Sequence, residues 1–347
     1  MALSGQLGCF SPTFLRPLRT MESFLPQPGR VIADLDRRMR AKLASSLAHI
    51  FDRMALTLGI EDSELGPLRA EIMAHRQAPS VFATYFELVF ALKAKRHDEA
   101  ARLWRRIAAA VGQTPMFDVA PLTVEALGGD AARFARLLNA GENGPIFGPP
   151  DVAQWPAFAT GVAEAFSLLE QADAALAAEI RALIVLVIGS APLSPASSFG
   201  GVTSLTLWGA VTLNTELHRT PLEILDGLVH EGAHTLLFGY ALDERLVRNP
   251  DSQRFASPLR SDPRPMDGVF HATFVCARLY LLYRRLLERR PEGLRGFDPR
   301  ALERKMAELA SRFDDGARLI ADKASLTPLG EKVLRSSVDY MSHDAAA

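Results

Sequence analysis

The stretch LVHEGAHTLLF at residues 228–238 contains His230-Glu231-Gly232-Ala233-His234, two histidines four apart with a glutamate between them. On a helix, residues four apart share a face, so His230 and His234 can offer imidazoles to one cation while Glu231 is turned by about 100° toward the rim. Two ligands do not complete a metal site, and the third decides the chemistry. With zinc, Glu231 would deprotonate a bound water for attack on a peptide carbonyl. With iron, the same histidines would serve an oxygenase. The long metalloprotease pattern asks for Gly three residues and His six residues after the second histidine, where this chain has Leu237 and Tyr240. That pattern is absent.

Third-ligand candidates lie on both sides of the motif. Asp243, Glu244, Asp251, Asp262 and Asp267 are carboxylates that form no recognisable helical pair. His271 sits one turn into a helix behind the proline-rich loop SPLRSDPRPMDG, a rigid way to aim a ligand back at the first helix. His218, just ahead of the motif helix, is the reserve.

The elements that must position these residues are mostly helical. Pro221 after Thr220 opens the motif helix, whose apolar periodicity runs to Phe238 with Gly239 at its end. A second helix opens at Asp267 or Gly268 and runs to about Arg290, stopped by Pro291. Apolar residues at Leu35, Met39, Leu43, Leu47, Ile50 and Met54 mark an amphipathic helix over 31–58, and further helices are expected near 62–75, 79–94, 97–112, 158–180, 299–321 and 328–342. Two runs read as strands, the β-branched ALIVLVIGS and the alternating SLTLWGAVTLN over 204–214. If exposed, the second could pair with an extended peptide through its backbone, with Trp208 or Asn214 facing substrate. The glycine- and proline-rich stretch over 141–156 marks a soft boundary. The organisation expected is an irregular arm (1–30), a helical region (31–150) and a metal-binding region (151–347). The fold class is α+β, mostly α-helical, with a zincin-like metal-binding helix beside a small β-sheet.

Bulk properties narrow the function classes. With 39 Lys and Arg against 40 Asp and Glu, the net charge of −1 makes no case for a polyanion partner. The basic clusters Arg37-Arg38-Met39-Arg40 and Arg284-Arg285 with Arg289-Arg290 lie in helical patterns and read as solvated faces. Two cysteines in 347 residues make no disulfide framework. No apolar run has signal-peptide or membrane-span length, so a cytoplasmic protein without nucleic-acid or membrane partners is expected.

The motif followed some thirty residues later by SPLRSDPRPMDGVFHATFVCARL resembles the HExxH-type α-ketoglutarate-dependent family associated with modification of ribosomally made peptides. The resemblance spans about residues 200–285 and more loosely the helical remainder. It implies Fe(II), 2-oxoglutarate and O2, with hydroxylation at the β-carbon of a residue in a ribosomally synthesised precursor peptide. By position it implies His230, His234 and His271 as metal ligands. Such chemistry needs a facial ligand set with three positions left for the 2-oxo acid and oxygen. The distal carboxylate of 2-oxoglutarate needs a cation, and arginine's planar fork can grip it at two points. Arg260 and Arg264 precede His271 on the loop, and Arg278 lies two turns after it. Glu231 would then orient a metal-bound water or a substrate amide. The alternatives are a zinc-dependent metallopeptidase and a helical peptide-binding module with a degenerate site, carried by residues 31–112.

Overall fold

The computed structural model describes residues 24–139, 146–194, 199–256 and 262–344. The chain is mostly helical (67%) with a small sheet. Helices α1 (Gly29–Leu58), α2 (Asp62–Ala74), α3 (Pro79–Lys93) and α4 (His97–Ala110) precede β1 (Asp118–Pro121), the short α5 (Val124–Leu127), α6 (Asp130–Leu138) and β2 (Phe147–Gly148). Then follow α7 (Trp155–Ala172), α8 (Ala174–Leu183), β3 (Leu186–Pro192), β4 (Gly201–Thr203), β5 (Ala210–Asn214) and α9 (Pro221–Tyr240). A two-stranded ribbon, β6 (Arg254–Phe255) with β7 (Arg264–Pro265), leads into α10 (Met266–Arg289), α11 (Pro299–Lys323) and α12 (Pro328–Asp344).

Helix α1 buries Leu35, Met39, Leu43, Leu47 and Ile50, the stripe its periodicity predicts. Gly59 ends it in the left-handed conformation. Helix α9 starts where Thr220 and Pro221 predict, with a reciprocal cap: Glu223 N–H donates to Thr220 Oγ1 at 3.3 Å and Thr220 N–H to Glu223 Oε2 at 2.9 Å. Its far end differs from expectation. The helix runs on to Tyr240, and Gly239 is a close-packing position: an added Cβ would lie 3.0 Å from Leu35 Cδ1 and 3.2 Å from Trp208 Cη2.

The sheet runs β1-β3-β5-β4, with β2 beside the end of β3. Strands β1, β3 and β5 are parallel, and β4 closes one edge antiparallel to β5. The alternating run over 204–214 is not one strand. Ser204 caps a 3-10 turn at Leu205–Leu207 and Gly209 sits at φ 90°, so only Ala210–Asn214 extends. β5 is interior, not an edge, and Trp208 and Asn214 are both buried in hydrogen bonds, to Asp36 Oδ1 (3.2 Å) and Phe199 O (2.8 Å). Likewise the first residues of ALIVLVIGS finish α8, and the strand begins at Leu186.

The sheet takes β1 from before the glycine- and proline-rich stretch and β3, β4 and β5 from after it. One core joins them: Ala120, Phe134 and Leu138 pack with Ile188, Leu207 and Ala210. The largest core lies among α7 to α12, where Leu228, Val229, Ala233, Leu236 and Leu237 of α9 meet Phe270, Phe274 and Leu281 of α10. Among the described residues no helix is long and apolar enough to cross a membrane. Members of the basic clusters are paired with carboxylates: Arg40 on Asp36 and Arg284 and Arg285 on Glu288 within their own helices, and Arg38 on the distant Asp243.

Candidate functional site

The middle of α9 faces the first turns of α10, and this packing brings the three histidines into one cluster. His234 Nδ1 and His271 Nδ1 are 3.1 Å apart across the interface, with ring centroids at 5.3 Å and planes 18° apart. His230, one turn earlier on α9, has its ring 5.1 Å from that of His234. Phe238 walls the inner side, its ring 5.4 Å from His271. His271 is buried, His234 partly so, and His230 keeps 42% of its side chain open at the mouth. Burial is the leading cause that lowers the pKa of all three, furthest for His234. All three are therefore neutral imidazoles at neutral pH, the form that donates a lone pair to a metal.

Two nitrogens bound to one ion at about 2.1 Å and at right angles lie roughly 3 Å apart, so the spacing of His234 and His271 suits a shared cation. Three donors are not assembled, however. Among the described residues no group of three His, Cys, Asp or Glu side chains stands ready to hold a metal ion. The donor chemistry and the inner pair suit the metal that the sequence resemblance implies, and the ring of His230 stands beside that of His234.

Glu231 lies between α9 and the edge strand β4. It is 3% exposed, and a Cβ on Gly201 would come within 2.6 Å of its Oε1. Burial alone pushes its carboxyl up to about 8. Its nearest ionisable partner is His230 Nε2, at 3.9 Å. One turn on, Thr235 Oγ1 donates to Glu231 O at 3.0 Å and lies 3.1 Å from Thr203 Oγ1, which seats β4 against α9.

Gly232 and Ala233 do not leave open space beside the motif. Ile180 of α8 fills the place of a Gly232 side chain, 2.4 Å from where its Cβ would be, and Ala233 is core. The small residues serve close helix packing instead.

The arginines separate. Arg260 lies outside the described residues. Arg264 is on β7 at the foot of α10, its Nε 2.8 Å from Asp262 Oδ2 but off the hydrogen-bonding axis. Arg278 is completely buried and away from solvent: it pairs with the equally buried Glu179 of α8 and donates from Nη1 to Phe24 O at 2.7 Å. Glu179 Oε2 in turn accepts from Gln27 N–H at 2.5 Å. Burial raises the Glu179 pKa against the opposing pull of Arg278. This guanidinium is spent on holding the chain's 24–27 segment between helices.

Comparison with known proteins brings no family to this site, since no family model and no curated protein matches the chain.

Two contributors carry no motif. Asp226, one turn before His230 on α9, accepts from Tyr283 OH of α10 at 2.7 Å and so ties together the two helices that bear the histidines. The i−4 spacing from His230 was the available signal for Asp226. Tyr283 had none. His218 donates from Nδ1 to Asn214 O at 2.7 Å, which leaves Nε2 as its lone-pair nitrogen. That atom nestles in a notch on α9 where a Gly227 Cβ would come within 2.6 Å.

Proposed function

We propose that the chain is an Fe(II)- and 2-oxoglutarate-dependent oxygenase that hydroxylates the β-carbon of a residue in a ribosomally synthesised peptide. The observation that carries this reading is the approach of His234 and His271, from helices α9 and α10, to 3.1 Å nitrogen to nitrogen beside His230. Without a metal, the Nδ1–H of one ring donates to the Nδ1 lone pair of the other; with that proton lost, the same two nitrogens could face one ion, and this is what supports the reading.

His230, His234 and His271 would hold the iron, which with 2-oxoglutarate and O2 supplies a two-electron oxidation of a C–H bond. In balance, one C–H becomes C–OH while 2-oxoglutarate and O2 become succinate and CO2. Of the two arginine candidates among the described residues, Arg264 is the better situated to grip the distal carboxylate, because β7 carries it to the start of the His271 helix while Arg278 is engaged elsewhere. Glu231, protonated below about pH 8, can donate a hydrogen bond to a peptide carbonyl or accept one once ionised. Phe238 keeps the inner side of the cluster apolar and excludes water from it.

The test is succinate formation by the purified chain with a candidate precursor peptide. It should require added Fe(II) and 2-oxoglutarate and give a peptide product heavier by one oxygen. Zinc-dependent cleavage of the peptide, abolished in Glu231→Gln, would establish the metallopeptidase instead; the Glu231 carboxyl 3.9 Å from His230 Nε2 is the feature that favours that second reading.

A further inference from the structure

We infer that the outer edge of β4 is a docking rail for an extended peptide backbone, and that the peptide residue paired opposite Gly201 is the one presented to the histidine cluster. The inference rests on the peptide-modifying reading for its occupant and on the strand geometry for its register.

Asn214 N–H donates to Gly200 O at 2.8 Å, and the register pairs Gly201 with Leu213, Val202 with Thr212 and Thr203 with Val211. In an antiparallel ladder the bonded pairs alternate, so the backbone groups of Gly200 and Val202 point at β5. Those of Gly201 and Thr203 point the other way. Among the described residues no strand lies beyond β4, and its three residues are all partly exposed. Two N–H and two C=O groups thus face outward along one strand edge, the complement of an extended chain and of little else.

The inner side of the strand is fixed in place. Asn214 Nδ2 donates to Phe199 O at 2.8 Å, and Thr203 Oγ1 lies 3.3 Å from Ala210 O and 3.1 Å from Thr235 Oγ1. Such a held edge does not have to order itself on binding.

Direction follows from the side chains. Glu231 and Thr235 of α9 lie against Gly201 and Thr203, so the side-chain face of those two residues is the α9 face. Directly opposed residues in a sheet project to the same face. A peptide residue opposite Gly201 therefore directs its Cβ to the α9 face, the side on which the Glu231 carboxyl lies 3.9 Å from His230 Nε2. The absence of a side chain at Gly201 is what lets the Glu231 carboxyl lie against the strand, since a methyl there would strike Glu231 Oε1 and Cγ at 2.6 and 2.9 Å.

The experiment uses the full metal-free chain and a pool of random nine-residue peptides capped at both ends. Retained peptides are sequenced, resynthesised and added while backbone amide exchange is followed. The expected result is at least tenfold slower exchange at Gly201 and Thr203, lost when the peptide is N-methylated at alternate amides. Thr203→Pro, which deletes one outward donor, should cut retention at least tenfold, whereas Thr203→Ser, which keeps both that N–H and the hydroxyl, should keep it. Retained peptides that leave both amides unprotected, an empty pool, or protection that grows with protein concentration alone would each overturn the rail, the last by showing that a second copy occupies the edge. The two readings fail separately. Succinate-coupled turnover of a peptide by Thr203→Pro at the parent rate sinks the rail and leaves the oxygenase, while edge protection without Fe(II)- and 2-oxoglutarate-dependent turnover leaves the rail and sinks the oxygenase.

Discussion

The buried pair of Arg278 and Glu179 makes the sharpest claim about which residues are structural. Both side chains have no exposed surface, and their outer partners are Phe24 O and Gln27 N–H. Glu179→Gln removes the anion and leaves a buried guanidinium facing neutral carbonyl oxygens alone, that of Phe24 and that of the new amide. Breaking one side of a buried pair costs about 3–5 kcal/mol. Replacing both partners with methionine removes two desolvation penalties, a change that is neutral or gains about 1–4 kcal/mol in comparable cores. Against that gain, Gln27 N–H and Phe24 O lose their partners, at about 1–3 kcal/mol each. At mid-range values the double variant should therefore lose about 2 kcal/mol, a smaller loss than either single change. Urea unfolding followed by circular dichroism at pH 7, on the parent, both single variants and the double, measures all four corners. A Glu179→Gln variant within about 1 kcal/mol of the parent would refute the reasoning, because the pair would then not be holding a buried charge. Isothermal titration with 2-oxoglutarate on the iron-loaded double variant adds a functional check. Retained affinity is expected, and its loss in a folded double variant would return Arg278 to the cosubstrate site.

Other outcomes follow from the same geometry. Arg264→Gln should weaken 2-oxoglutarate binding about ten- to hundredfold at unchanged iron affinity, since it removes a charge-assisted contact; titration calorimetry reads both. His234→Ala and His271→Ala should each abolish binding of Co(II), used as a spectroscopic stand-in for iron, while the inner pair in His230→Ala should still bind with lower affinity. Burial raises Glu231 from 4.5 to about 8, so its contribution to stability is full below pH 4.5 and is lost as the pH climbs through 8. The histidines are shifted the opposite way from 6.5, and their contribution is full above that value and lost as the pH falls. Between pH 6.5 and 8 the histidines no longer contribute to the slope and Glu231 does, with the same sign as Glu179, which burial also raises: the Glu231 share of the loss should be about 2 kcal/mol over that window in the metal-free chain, and Glu231→Gln should remove that share from the slope in urea unfolding. Gly316→Ala should cost about 1–3 kcal/mol, because its Cβ would lie 2.1 Å from Thr273 Oγ1, and Thr273→Ala should relieve most of the loss in a thermal melt.

Local chemistry determined much of this molecule in advance. The start of α9 was legible because Thr220, Pro221 and Glu223 carry their own capping geometry, and the α1 stripe because helical periodicity needs no partner to be recognised. The proximity of His230 and His234 follows from the helix repeat alone. Short strands were beyond reach: β1 spans four residues and ends on Pro121, and β4 spans three, too few to show alternation. Gly209 looked like a strand interior because the sign of φ is not written in the residue type. What only the tertiary structure decided is everything that depends on which surface meets which. Arg264 and Arg278 are the same residue type in the same stretch of chain, yet one ends beside an exposed aspartate and the other inside the core, because the burial of a charge is set by the partner that folding brings to it, here Glu179 from 99 residues away. The approach of His271 to His234 and the bare edge beside Glu231 have the same origin: they are properties of packed helices and of a sheet's last strand, and no single segment contains them.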